Sequence, residues 1–288
     1  MKDFVILTDS SADLTAEMSQ ELGIRTIQLE VLMDDEEKSM TNDMVDAKEF
    51  YAKLRNKKTA KTSAVSIDRF LGIFEEPVKE GKDILYLGFS SGLSSTYSSG
   101  AVAARETMEK YPDCKILTVD TLCASMGQGL IVYLAAKKKE AGADIEAVRD
   151  YVESIKLNLC HWFTVDDLFF LKRGGRVSAA TAVVGSLLSI KPVMHVDNAG
   201  KLINVSKARG RKAAVDALFE NMKGSMLPDV NETAFISHGD CIEDAEYLAN
   251  RIRTELGIEH IEINFVGPVI GAHSGPGTLA LFYLGKER

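Results

Sequence analysis

Hydroxyl groups in four short clusters are the residues of this sequence best placed to do chemistry: Thr8-Asp9-Ser10-Ser11, Thr62-Ser63, Ser90-Ser91-Gly92-Leu93-Ser94-Ser95-Thr96 and His273-Ser274-Gly275. Each falls where an apolar run ends or an amphipathic run begins. A helix start carries free N–H groups and a partial positive charge, so hydroxyls placed there help hold an anion without a formal cation. Ser, Thr and Asp are equally the preferred N-caps. Capping accounts for Ser66, which precedes Ile67-Asp68-Arg69-Phe70. It does not account for the whole 90–96 loop, because one helix needs only one capping side chain.

The same loop contains Gly88-Phe89-Ser90-Ser91-Gly92, the spacing of a G-x-S-x-G nucleophile elbow. With Asp197 or Asp240 and then His238 or His273 downstream, an order of Ser, Asp, His can be composed for a serine hydrolase. A Ser90 esterase is therefore the alternative to anion binding. His273 lies in Gly-Ala-His-Ser-Gly-Pro-Gly, whose Gly and Pro predict a loop. His161, His195, His238 and His260 read as ordinary histidines, no pair of which has the i, i+4 spacing of a metal site. No metal and no cofactor are expected. Two basic groups contrast with an acidic chain: Leu171-Lys172-Arg173-Gly174-Gly175-Arg176-Val177-Ser178, and Lys207, Arg209, Arg211 and Lys212. They read as solvated charges or as receivers of a negatively charged partner or phosphate.

The elements that must position these residues alternate. Short apolar runs at 4–7, 25–32, 84–88 and 115–119 read as strands, and amphipathic runs ending near Gly23 and over 44–54, 66–80, 95–110 and 124–141 read as helices. Strands alternating with helices predict a mainly parallel, doubly wound α/β sheet, whose carboxyl edge is where ligands bind. After a helix at 145–157 and a strand at 160–165 the pattern changes. Two adjacent helical segments follow, and the second, 179–188, is apolar on nearly every side and must be buried or line a cavity. A hairpin of 192–196 and 201–205 turns about Asp197-Asn198-Ala199-Gly200. Strand 234–237, helix 243–256, strand 261–266 and a final run at 278–284 complete an α+β pattern. The expected architecture is two-lobed, with an N-terminal α/β lobe over 1–157 and a C-terminal α+β lobe over 158–288.

Composition narrows the function classes. The 288 residues are 45% hydrophobic and 26% charged, enough to bury a real core in one large or two modest domains. A net charge of −8 opposes binding to nucleic acid or anionic headgroups, so neither nucleic acid nor stable membrane insertion is expected. The four cysteines, Cys114, Cys123, Cys160 and Cys241, are scattered and read as reduced thiols. The N-terminal MKDFVILTDSS reaches Asp9 too soon for a signal-peptide core, and no later stretch is apolar enough to span a bilayer. The expected location is the cytoplasm.

Taken together and in this order, the clusters resemble the DegV family of bacterial fatty acid-binding proteins. The resemblance covers essentially the whole chain. It rests on Thr8-Asp9-Ser10-Ser11 with Asp13-Leu14, Lys61-Thr62-Ser63, the 90–97 loop, Val119-Asp120-Thr121, Leu171-Lys172-Arg173-Gly174-Gly175-Arg176 and the closing 267–277 segment. Ala64-Val65 departs from the Gln-Pro often found in the family after the paired hydroxyls. The resemblance implies a long-chain fatty acid, such as palmitate, in a tunnel of the second lobe, with its carboxylate between the lobes. The positions matching its carboxylate ligands are Thr62, Ser94 and His273, with Ser63 and Ser95 in support. It implies a non-catalytic carrier that presents the acid to a fatty acid kinase for acyl phosphate formation in phospholipid synthesis, with an acyltransferase as a further partner. Arg173 and Arg209 match residues that engage the kinase or the phosphate. The tunnel candidates are Phe169, Val183, Val184, Leu187, Leu188, Ile190, Val193, Met194 and Ile270. Energetics suit such a ligand: at about 0.8 kcal/mol per methylene, a sixteen-carbon tail offers roughly 10 kcal/mol before ordering costs. The head supplies orientation, because a buried carboxylate without partners is protonated or expelled. The chain has no GxxxxGK[ST] loop, so the phosphoryl donor is expected on another protein.

Overall fold

Strand β1 (Phe4–Asp9) is buried at all six positions, which requires a sheet covered on both faces. In the computed structural model, which describes residues 2–178, 189–227 and 230–288, that cover is supplied by helices on either side. The first half of the chain runs β1, α1 (Ala16–Glu21), β2 (Ile24–Ile27), β3 (Glu30–Met33), β4 (Met40–Thr41), α2 (Ala47–Arg55), β5 (Ala60–Ser63), α3 (Ile67–Lys79), β6 (Asp83–Gly88), α4 (Thr96–Lys110), β7 (Ile116–Asp120), α5 (Met126–Glu140) and α6 (Ile145–Ile155). The second half runs β8 (Leu159–Thr164), α7 (Leu168–Arg173), β9 (Ile190–Val196), β10 (Leu202–Arg209), α8 (Arg211–Ser225), β11 (Thr233–His238), α9 (Ile242–Leu256), β12 (His260–Phe265), α10 (Pro268–Ser274) and β13 (Leu279–Leu284).

The parallel α/β expectation holds for the first sheet, whose strands lie in the order β2-β1-β6-β7 and all run parallel. Period-two alternation sorts its side chains. Val5, Leu7, Ile84 and Tyr86 pack with Phe70, Phe74, Ala103 and Ala104 of α3 and α4, while Phe4, Ile6, Leu85 and Leu87 face α5 and α6. The second sheet is mixed, in the order β10-β9-β8-β13-β11-β12. Leu279, Leu281 and Tyr283 of β13 pack outward with Leu218, Phe219, Leu248 and Ile252 of α8 and α9, and Ala280 and Phe282 pack inward with α5. Helix α5 thus lies between the two sheets, which is why Leu130, Ile131, Val132, Ala135 and Ala136 leave it no polar face through its middle.

Local capping follows the sequence closely. Ser66 accepts from Arg69 N, Asp46 from Glu49 N and Asp144 from Ala147 N. The hairpin forms as its turn residues predict, with Asp197 Oδ1 accepting from Ala199 N and Lys201 N and with Gly200 at φ +70°. One expectation needs correction here. The run 25–32 is not one strand: Ile24–Ile27 joins β1, whereas Glu30–Met33 leaves for a separate antiparallel sheet of order β4-β3-β5. Thr62 and Ser63 therefore lie on a strand of that third sheet, which periodicity alone did not reveal. The predicted helix 179–188 lies outside the described residues. Among those described, no helix is long and apolar enough to cross a membrane.

Candidate functional site

Between the sheets lies a partly open cavity of about 280 Å³, just below the usual range for ligand pockets. Its described walls are largely apolar, with Leu29, Phe89, Phe163, Val266, Val269 and Phe282 among them. Thr62, Ser63, Ser94, Ser95 and His273 all line it, although they come from β5, the loop before α4, and α10.

His273 is helical, which corrects the loop expectation. The Gly and Pro that argued against a helix are its end signals: Pro268 occupies the first turn, Gly267 precedes it, and Gly275 ends the helix at φ +80°. The helix presents His273 to β5, where Thr62 Oγ1 and His273 Nε2 are 2.7 Å apart. Behind the ring, Gly174 packs against Nδ1 so closely that a Cβ there would overlap the imidazole. Burial, then the charges of Arg176 and Arg173, lower the His273 pKa to about 4, so the ring is neutral near pH 7. A neutral imidazole protonated on Nε2 donates to Thr62 Oγ1 and leaves the threonine proton free for a ligand oxygen.

The serine loop is held as a turn, with Leu93 N and Ser94 N both donating to Ser90 O. Ser94 Oγ accepts from Thr96 N at 3.2 Å and lies 3.0 Å from Thr96 Oγ1. The 15-residue helix α4 begins there, so its free N–H groups add a partial positive charge beside the cavity. Arg176 joins this loop to His273: Nε and Nη2 donate to Leu93 O at 3.2 and 3.1 Å, and Nη1 donates to Gly174 O. Thr62, His273, Gly174, Arg176, Leu93 and Ser94 thereby form one contiguous polar corner in an apolar cavity.

Elsewhere on the wall, Ser125 at φ +53° donates to Asp13 Oδ2 at 2.5 Å and lies 3.0 Å from Ser237 Oγ. Burial pushes the Asp13 carboxyl up to about 7, against the opposing hydrogen bond from Ser125.

Other expected residues are placed differently. Arg173 is exposed at the end of α7, 4.6 Å over the Phe170 ring, and Arg209 is exposed on β10; neither lines the cavity. Of the tunnel candidates, Ile270 lines the cavity. Val193 and Met194 belong to the packed cores, Phe169 is half exposed on α7, and Ile190 is not in the described wall. Val183, Val184, Leu187 and Leu188 lie outside the described residues. Sequence reasoning missed Arg176, although its basic motif was visible, because nothing in the spacing says which arginine turns inward.

The elbow at Ser90 has no catalytic geometry. Its buried hydroxyl donates to Gly200 O at 2.8 Å and accepts from Gly92 N at 3.2 Å. His238 Nδ1 accepts from Cys241 N, Asp240 pairs with Arg55, and Asp197 holds the hairpin turn. His273 is bonded to Thr62 instead.

Comparison with known proteins shows what the chain as a whole is similar to. Residues 3–286 match the family described as uncharacterised proteins of the DegV family. A DegV domain-containing protein of Clostridium perfringens is 48% identical over 289 residues, covering 100% of this chain and 99% of its own. Among solved structures, a DegV family protein from Thermus thermophilus, described by its fatty acid binding, superposes with a TM-score of 0.88 at 28% identity, over 99% of this chain and 100% of its own. DegV of Bacillus subtilis, described as a fatty acid binding protein, gives 0.86 at 28% identity, over 99% and 100%.

Proposed function

Because the chain belongs to the DegV family, we propose that it binds one long-chain fatty acid in the cavity and presents the carboxylate to a fatty acid kinase. The observation that carries this reading is the meeting of Thr62, Ser94 and His273, remote in sequence, in one polar corner of an otherwise apolar cavity. The acyl chain contributes affinity by leaving water, at about 25 cal/mol per Å² of apolar surface. The carboxylate is held by the Thr62 and Ser94 hydroxyls and by the start of α4, with His273 orienting Thr62. Ser63 and Ser95 border the same corner.

In this reading the protein is a carrier and not an enzyme. A partner kinase transfers phosphate to the exposed carboxylate, and the acyl phosphate passes to an acyltransferase in cytoplasmic phospholipid synthesis. Arg173 and Arg209, both exposed, are the cations offered to the kinase or to the phosphate it carries. We place the lobe boundary at 157/158, between the last residue of α6 and the first of β8, with the head group at the junction of the lobes. No geometry favours the Ser90 hydrolase.

Mass spectrometry of the purified protein, native and then after organic extraction, tests the reading. One free fatty acid per chain is expected. A clean unliganded spectrum with no shift on adding palmitate or oleate would sink it.

A further inference from the structure

Ser125 stands at the N-cap of α5, yet its side chain caps nothing. Its backbone, at φ +53° and ψ −149°, lies close to a region that glycine enters freely and other residues enter only under strain. A glycine would carry no such cost; the hydroxyl is what the strain holds in place. Ser125 Oγ donates to Asp13 Oδ2 at 2.5 Å and lies 3.0 Å from Ser237 Oγ on β11. All three residues are buried, and they come from the turn after β1, the loop before α5 and the second sheet. None of them bonds to the Thr62, Ser94 and His273 corner. Ser125 and Ser237 nevertheless line the cavity. Across the sheet Ser237 opposes Ala280, and Ala280 opposes Phe163, so this hydroxyl stands in an otherwise apolar row of the wall.

We propose that Ser125 and Ser237 form a second polar subsite of the cavity, at which it takes long-chain acids that carry a hydroxyl group on the acyl chain. The inference rests on the fatty acid reading above and adds a determinant for the chain, where that reading dealt with the head. The order of the protons sets the preference. An ionised carboxylate only accepts, and a serine has one proton to give. Ser125 gives its proton to Asp13, and Ser237 gives its own to Ser125 Oγ, so the acceptor capacity of Ser237 is what remains for a ligand. A hydroxyl on the acyl chain supplies the missing donor. A saturated chain supplies nothing, and a ketone at the same carbon has no proton to give. A purely structural trio, tying β11 to the start of α5 and to the turn after β1, predicts something else, because its loss would act on every ligand alike.

The test uses the full chain stripped of lipid and titrated calorimetrically at pH 8, above the Asp13 pKa of about 7, with stearate, a series of hydroxystearates substituted at successive carbons, and the matching oxostearates. An unpaired hydroxyl buried in an apolar cavity weakens binding about tenfold or more, so most of the hydroxy series is expected to bind that much more weakly than stearate. One position is expected to bind at least as tightly as stearate, and its oxo counterpart about tenfold more weakly. Ser237→Ala is expected to remove the advantage of that position while stearate stays within about twofold. A hydroxy series that is uniformly weaker than stearate would overturn the proposal without calling on any variant, and would leave the fatty acid reading intact. An oxo acid as tight as its hydroxy counterpart would overturn the proton order, and equal losses for stearate and the hydroxy acid in Ser237→Ala would leave the trio a structural tie. Binding of neither stearate nor any substituted acid by the unmodified protein would overturn the fatty acid reading, and this proposal with it.

Discussion

The Thr62 hydroxyl and the His273 imidazole lie 2.7 Å apart across 211 residues of chain. The contact joins a strand of the small third sheet to the short helix α10, and it fixes the orientation of the Thr62 hydroxyl at the cavity wall. Removing the Thr62 hydroxyl while keeping its shape therefore probes the head-group site, at the cost of the hydrogen bond to His273. Thr62→Val is expected to weaken fatty acid binding about tenfold, the worth of one or two hydrogen bonds at roughly 1 kcal/mol each. Calorimetric titration with palmitate checks this; full affinity in the variant would remove Thr62 from the site.

Gly174 packs directly behind the His273 ring. Gly174→Ala places a methyl group on the imidazole and forces it to tilt, at about 1–3 kcal/mol of strain. Palmitate affinity is expected to fall by about as much as in Thr62→Val, with a shifted imidazole resonance in the NMR spectrum. Gly175→Ala is the control: its Cβ meets nothing within 4 Å, so only the φ of +73° is penalised and binding should survive. Equal binding losses in both variants would contradict the steric argument.

Asp13 gives a pH dependence whose sign can be worked out. Its pKa is raised from 3.8 to about 7 in the fold, so the native state holds the proton more tightly than the unfolded chain. The resulting stabilisation is complete below about pH 4 and is lost as pH rises through about 7. Asp13→Asn keeps a hydrogen-bonding side chain that never ionises, and Asn tolerates the φ of +51° found here. The variant is expected to match the parent below about pH 4 and to melt several degrees higher near pH 8. Parallel melting curves across that range would show that Asp13 does not carry the effect.

Ser90 separates carrier from hydrolase. Its hydroxyl ties the serine loop to Gly200 in the hairpin turn. Ser90→Ala is expected to cost about 1–3 kcal/mol of stability, because the Gly200 carbonyl loses a buried donor. Hydrolysis of nitrophenyl esters should be at background for both proteins. Turnover by the parent that disappears in the variant would restore the esterase.

Much of this was legible in the sequence for local reasons. Ser66 caps its helix because a short polar side chain reaches an N–H three residues on, whatever the rest of the molecule does. Asp197 and Gly200 turn the hairpin on the same terms. Thr62, Ser94 and His273 were identified through a family likeness; no spacing in the chain joins them. The helix around His273 was misread because Gly and Pro break a helix in its interior but mark its ends, and a seven-residue segment is nearly all ends.

By itself, then, the sequence determined what nearest neighbours along the chain decide: the period of each element, its caps and turns, the parallel first sheet implied by alternating strands and helices, and the hydroxyl-rich loops at their ends. The tertiary structure alone decided what depends on contacts between distant segments. It split 25–32 between the first and third sheets, buried α5 between the first and second, and turned Arg176 inward while leaving Arg173 in water. The physical reason is one of range. Dihedral preferences and capping bonds act over three or four residues, whereas desolvation and charge depend on which surfaces meet once the layers have packed. Whether an arginine faces water or an apolar cavity is settled only at that last step.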